Sequence, residues 1–212
     1  MAFRMNRMRT IAGAVLTAAL VALGPAAHAQ DGRVALAELL VEGPLGEIWL
    51  GAEDAPIVVV EYASMTCPHC RTFHETVYDE FIAKYVDTGL VRFAIREFPL
   101  DILAAAGFLL ARCAPGENGY YAMIDLLFET QAVWAVNEPI PPLQQLAYQS
   151  GFTPESFEAC LMDQEMLDAI FWVYDRGIEL GVNATPTFFV NGDRYAGALT
   201  LEQLDQIIQP ML

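Results

Sequence analysis

Two cysteines separated by two residues, Cys67-Pro68-His69-Cys70, stand where an apolar β-branched run gives way to a stretch of helical period, and this junction constrains the chain most. Ile57-Val58-Val59-Val60-Glu61-Tyr62 is short and nearly all apolar, which suits a central strand buried on both faces. Pro68 suits a first helical position, where its missing N–H costs nothing. Phe73, Val77, Phe81 and Tyr85 then recur every four residues, with Tyr78 and Ile82 beside them, so one apolar stripe runs to about Tyr85. Gly89 ends that unit, and Leu90 to Phe98 reads as a second strand. Strand, helix and strand at this length make a βαβ unit.

The next part of the chain changes character. From Asp101 to Gly181 nearly every segment has helical period: Leu109, Leu110 and Cys113 share one face, and Tyr120, Met123, Ile124, Leu127 and Phe128 another. Pro139, Pro141 and Pro142 mark a break. Thr153-Pro154 is an N-cap and first-turn pair for a helix carrying Phe157, Cys160 and Leu161. A further helix with Ile170, Val173 and Tyr174 on one side stops near Gly181. Strands return as Thr187-Phe188-Phe189-Val190 and Asp193-Arg194-Tyr195 around Asn191-Gly192, a strong hairpin signal. Thr200 and Gln203 form a capping box for a last helix that ends before Pro210. The order predicts an α/β protein, a thioredoxin fold with an inserted all-helical subdomain. Residues 57–100 and 182–212 would form the thioredoxin-fold domain and 101–181 the insertion. Residues 30–56 would be an N-terminal leader with a short helix over Val34 to Val41.

Residues 1–29 read as a signal peptide: Arg4, Arg7 and Arg9, an apolar run from Ile11 to Leu23, then the small-x-small Ala27-His28-Ala29. Cleavage is expected after Ala29, the alternative being an uncleaved anchor, for which the run is short. The mature chain would keep 8 Lys and Arg against 27 Asp and Glu, a net charge of −19. Such a surface repels nucleic acid and anionic lipid and favours solubility, while the export signal predicts a periplasmic protein.

All four cysteines lie in the exported part, and four cysteines allow three pairings. At a helix start, Cys67 would be exposed, with N–H groups and the positive dipole end aimed at its sulfur. Cys70, one turn on, would lie partly buried beneath it. A thiolate at Cys67 is therefore favoured, and His69 can stabilise it further. Stabilising the reduced pair makes its disulfide a stronger oxidant. The competing reading of Cys-x-x-Cys is half of a structural zinc site, which needs two further ligands at matched spacing.

Glu61 through Cys70, with Thr185-Pro186-Thr187-Phe188-Phe189-Val190-Asn191-Gly192, resembles the DsbA family of periplasmic thiol oxidases. The likeness covers nearly all of the mature chain, including Arg96-Glu97-Phe98-Pro99-Leu100-Asp101 after the second strand. The resemblance implies that Pro186 is cis and faces the redox pair, with Thr185 offering backbone hydrogen bonds to bound peptide. It implies that Glu61 is a buried acid relaying protons to and from Cys70; the alternative is a strand-end carboxylate turned to solvent. Cys113 and Cys160, on separate insertion helices, are expected to form a structural disulfide, against two free buried thiols. A second pair also resembles a subset of DsbA-like proteins. Met65 and Phe188 are candidates for an apolar lip beside the redox pair, while His74, Trp134, Tyr120 and Tyr121 are assigned to packing.

The expected activity is disulfide donation through Cys67 and Cys70 to folding exported proteins with free cysteines, with no organic cofactor and no metal. By resemblance a membrane, quinone-linked protein of the DsbB type would reoxidise the pair, and a monomer is expected. The rivals are a disulfide isomerase or reductase on the same fold, and a periplasmic copper chaperone using Cys67 and Cys70. A glutathione-transferase relative fits poorly, because this chain keeps both active-site cysteines and an export signal.

Overall fold

The computed structural model describes residues 32–212, so the signal-like segment and its cleavage site lie outside the described residues. Four strands, β1 (Ile57–Ala63), β2 (Val91–Glu97), β3 (Thr187–Val190) and β4 (Asp193–Ala196), form one sheet in the order β2-β1-β3-β4. β1 and β2 are parallel, whereas β3 runs antiparallel to both β1 and β4. A parallel pair needs a crossover, and the helical stretch 68–86 supplies it. Leu50 of the leader bridges to Phe93, which covers part of the β2 edge. The leader's helix is the single turn Leu36–Leu39, shorter than the sequence suggests.

The period of two along β1 sorts its side chains between two cores. Val59 and Ala63 join Phe73, Phe81 and Tyr85 of helix 68–86, while Val58, Val60 and Tyr62 join Phe189, Val173 and Leu180 on the opposite face. Both faces are covered, as a strand that is apolar throughout requires. Glu61 has the parity of Val59 and Ala63, so it points beneath helix 68–86.

That helix is not regular. It begins as Pro68–Phe73, widens to π-helical turns over His74–Tyr78 and again over Ile82–Val86, with Asp79–Phe81 between them. A stripe repeating every four residues drifts by about 40° per step on a helix of 3.6 residues per turn. The wider i→i+5 turns take up this drift, so Phe73, Phe81 and Tyr85 all stay buried.

Between β2 and β3 the chain forms helices Ile102–Cys113, Gly119–Glu129, Gln131–Trp134, Ile140–Gln149, Pro154–Leu161 and Gln164–Glu179. Asp101 and Thr153 cap two of them through their side-chain oxygens, at 2.7 Å to the Ala104 N–H and 3.2 Å to the Ser156 N–H. Cys113 and Cys160 are disulfide-bonded, with Cα atoms 6.2 Å apart, and join helices Ile102–Cys113 and Pro154–Leu161. Arg112 Nε donates to Glu97 Oε1 at 2.7 Å, tying the insertion to the end of β2, and Arg96 pairs with Glu47 of the leader. Asn191 (φ 48°) and Gly192 (φ 91°) close the β3–β4 hairpin as the sequence predicts. A Cβ on Gly192 would stand 2.1 Å from the Val34 carbonyl oxygen, so only glycine fits there. The last helix, Leu201–Ile208, carries the reciprocal Thr200–Gln203 cap. Among the described residues, no helix is long and apolar enough to cross a membrane.

Candidate active site

β1 delivers the chain to a short loop, 64–67, that is fixed from three sides. Within the loop, the Cys67 N–H donates to the Ser64 carbonyl at 3.0 Å, and the Arg71 N–H donates to the Cys67 carbonyl at 3.1 Å as the first helical bond. From the chain beyond β2, the Leu100 N–H donates to Ser64 Oγ at 3.2 Å, and Thr66 Oγ1 donates to Asp101 Oδ2 at 2.8 Å. From the insertion, Gln131 Nε2 donates to the carbonyls of Met65 at 2.8 Å and Cys67 at 3.1 Å. Gln131 is buried and had no signal in the sequence, since its partners lie more than 60 residues away.

Cys67 is the residue that precedes the helix, with extended backbone (φ −78°, ψ 120°), and Pro68 takes the first helical position. Both Cys67 and Cys70 are free thiols. Their proton affinities are driven in opposite directions. The Cys67 pKa falls to about 5, first through a hydrogen bond from the Cys70 thiol, which outweighs burial, then through the Thr185 side chain and the Cys70 and His69 backbone N–H groups. The Cys70 thiol is pushed well above its ordinary value by burial, by the bond to Cys67 and by the nearby charges of Glu61 and Cys67.

Two expectations change here. Cys67 is 4 % exposed rather than open to solvent, because its sulfur lies against the 185–186 segment, donating to the Thr185 carbonyl at 3.3 Å. His69 is exposed, and among the described residues no hydrogen bond joins its ring to the sulfur; its backbone N–H acts on the thiolate instead. The Thr185–Pro186 peptide is cis, and both residues are buried beside Cys67.

Met65 and Phe188 do not form a lip. Both are fully buried: Phe188 is paired across from Glu61 and packs on Phe73 with ring centres 4.8 Å apart, and Met65 fills the space over Gly107. Exposed apolar residues beside the loop's partners include Leu100 and Ile102, which flank the Thr66 partner Asp101, and Val133, two residues from Gln131.

Glu61 is wholly buried, which removes the reading of a strand-end carboxylate in solvent. Burial raises its pKa above the ordinary carboxylate range, with His74 opposing. Trp134, Tyr120 and Tyr121 are buried with their polar tips bonded to Leu127, Glu97 and Ile48, as packing residues should be. His74 is different. Its Nε2 lies 3.7 Å from Glu61 and its Nδ1 3.8 Å from Asp125.

A family model described as Thioredoxin matches residues 45–210. A candidate protein-disulfide oxidoreductase of Rickettsia bellii is 34 % identical over 148 residues, covering 68 % of this chain and 56 % of its own length. The chain therefore spans little more than half of that relative. The crystal structure of alpha-DsbA1 from Wolbachia pipientis is 30 % identical with a TM-score of 0.76, covering 84 % of this chain and 96 % of that one. BdbD from Bacillus subtilis shares the fold at 21 % identity and a TM-score of 0.69, with 85 % and 96 % coverage.

Proposed function

We propose that this chain, which belongs to the thioredoxin family and to its DsbA-like branch, oxidises pairs of cysteine thiols in other proteins through Cys67 and Cys70. The observation that carries the reading is the placement of the two thiols: Cys67 stands at the start of the helix against the cis Thr185–Pro186 peptide and Cys70 lies buried one turn on, which lowers the Cys67 pKa to about 5 and raises that of Cys70. A substrate thiolate attacks the Cys67 sulfur of the disulfide form, making a substrate–Cys67 disulfide and releasing Cys70 as a thiolate, which takes up one proton. A second substrate thiolate then attacks the substrate sulfur of that mixed disulfide and expels Cys67. The substrate leaves with one disulfide and is oxidised by two electrons, and the protein is left with Cys67 as thiolate and Cys70 as thiol. Cys67 is the better leaving group because its thiolate is the more stable. A stable thiolate stabilises the reduced pair, and so favours disulfide donation over disulfide reduction.

Glu61, buried on the helix-facing side of β1, is the acid that hands protons to and from Cys70. Thr185 and Pro186 border the sulfur where an extended substrate segment would lie, and Leu100, Ile102 and Val133 offer apolar contact beside it. The substrates would be exported proteins with free cysteines, the site of action the periplasm, and the reoxidant a quinone-linked membrane protein of the DsbB type.

A redox titration against glutathione tests this reading. The pair should equilibrate well above the roughly −270 mV of thioredoxin, and Cys67→Ser should abolish oxidation of a reduced model protein. A potential near thioredoxin's would make the chain a reductase instead.

A further inference from the structure

Among the described residues, buried charges elsewhere form close ion pairs. Arg112 meets Glu97 at 2.7 Å with a normal hydrogen bond. Beneath the active site a different arrangement occurs. Glu61, His74 and Asp125 stand in a row, with gaps of 3.7 Å and 3.8 Å between neighbouring nitrogen and oxygen atoms. Both oxygens of Glu61, both ring nitrogens of His74 and Oδ1 of Asp125 are buried without a hydrogen-bond partner. Unsatisfied buried polar atoms are rare, and three side chains in line with five such atoms call for an explanation.

The surroundings fix how the row is aimed. The His74 ring is sandwiched between Phe128 and Tyr78, with centres 4.2 Å and 4.4 Å away and planes within 30° of parallel. Stacked on both faces, the ring keeps one nitrogen toward Glu61 of β1 and the other toward Asp125 of helix Gly119–Glu129. The His74 side chain is 4 % exposed and Glu61 0 %, but Asp125 is 43 % exposed. Asp125 borders a cavity of about 220 Å³ whose rim adds Glu75 and Asp79 from the helix of His74 and Glu129 from the helix of Asp125. The row therefore runs from the carboxylate under Cys70 to an acidic mouth.

We propose that His74 relays protons between Glu61 and the solvent at Asp125, so that Cys70 exchanges its proton through the interior while Cys67 is covered by substrate. The proposal rests on the reading of Glu61 as the proton partner of Cys70. When a substrate thiolate opens the Cys67–Cys70 disulfide, Cys70 leaves as a thiolate and takes the proton of Glu61. Glu61 is replenished from His74 Nε2, and His74 gains a proton at Nδ1 from the Asp125 side. One proton enters for each disulfide opened. On reoxidation Cys70 returns its proton by the same path, entering at Nε2 and leaving at Nδ1, so the ring recovers its starting tautomer without flipping. Proton affinities agree with this: burial disfavours the His74 cation, but Asp125 and Glu61 together hold its pKa above the ordinary value. Gaps near 3.7 Å close to hydrogen-bond length with a small side-chain rotation, whereas a locked pair would hold its proton.

The test is stopped-flow reduction of the oxidised full-length protein by dithiothreitol at low buffer concentration, in the wild type, His74→Ala and Asp125→Asn. The relay predicts slowing on the order of ten-fold in His74→Ala, less than the ~10²–10⁴ of a group acting directly on reacting atoms. Imidazole, entering through the enlarged cavity, should restore the rate. Asp125→Asn changes a half-exposed residue without disturbing the core, and should slow the reaction in the same buffer-dependent manner. Wild-type rates in both variants, or slowing in His74→Ala that imidazole does not relieve, would overturn the relay. If His74→Ala does not fold, wild-type buffer dependence in Asp125→Asn overturns it alone. The Cys67 titration separates this from the reading it rests on: the midpoint near 5 should persist in Asp125→Asn, and its absence in the wild type would sink the redox assignment instead.

Discussion

The Cys67 thiol donates to the Thr185 carbonyl oxygen across 3.3 Å, joining two positions 118 residues apart. This contact belongs to the protonated state. Once Cys67 ionises, the carbonyl no longer accepts a proton, and the Thr185 hydroxyl, buried without a partner, is placed to donate to the sulfur. The segment that covers the nucleophile thus also selects its charge.

Removing that hydroxyl with Thr185→Val should raise the Cys67 midpoint above 5. A hydrogen bond to a charged group contributes about 1.5 kcal/mol or more, equal to roughly one pH unit. Thermal unfolding of the reduced protein below pH 5, where the thiolate is absent, should move little, because the hydroxyl has no other hydrogen-bond partner. Thiolate absorbance followed across the pH range measures the first effect, and calorimetry the second.

The reduced protein should be more stable than the oxidised one near neutral pH, by an amount that depends on pH in a definite direction. Cys67 has a folded-state pKa of about 5 against an ordinary 9.0, so its contribution is complete above 9 and disappears as pH falls through 5. Cys70 acts oppositely: its raised pKa leaves a thiol that the unfolded chain would ionise, which erodes the reduced form above its ordinary 9.0. Denaturant unfolding of both forms should show the gap narrowing from pH 9 to pH 5. A gap that widens on acidification would contradict the assignment.

Much of this was legible in the sequence, and the reason is range. The β1 run, the proline-opened helix, the Asn191-Gly192 turn and the Thr200–Gln203 cap are local patterns, and each forms where the pattern places it. The direction of Glu61 is not among them: the sequence leaves it open between a buried acid and a carboxylate in solvent, and the structure buries it on the side of Val59 and Ala63. What could not be read depends on residues brought together from afar. Cys67 is covered because Thr185 returns to it, and its loop is held by Gln131 from the insertion. His74 looked like a packing residue because nothing near it in sequence reveals that Asp125, 51 positions on, faces its other edge. Met65 and Phe188 looked available for substrate because apolar type does not say which apolar residues the core takes first.

The insertion should be coupled to the sheet through Glu97. Its side chain accepts from Arg112 at 2.7 Å and from Tyr120 at 3.0 Å, all three buried or nearly so. Glu97→Gln leaves the guanidinium without a counter-charge and should cost about 3–5 kcal/mol in denaturant unfolding. A loss below about 1 kcal/mol, the range of an exposed pair, would show that the pair contributes little.

Replacing Cys113 and Cys160 together by alanine should destabilise the protein by about 4 kcal/mol, from a sequence separation of 47 residues. The Cys67 titration should not change, since Cys113 lies at the end of helix Ile102–Cys113 opposite Asp101, the residue that bonds the 64–67 loop. Equilibrium unfolding gives the first quantity and thiolate absorbance the second.

The proposed chemistry rests on the charge of one sulfur. Following thiolate absorbance and iodoacetamide alkylation of the reduced protein from pH 3 to pH 10 tests it directly. One thiol should titrate with a midpoint near 5, be assigned to Cys67 by its loss in Cys67→Ser, and react on the acid side where Cys70 stays silent. A Cys67 midpoint near 9, or a Cys67 that resists alkylation throughout, would contradict the account.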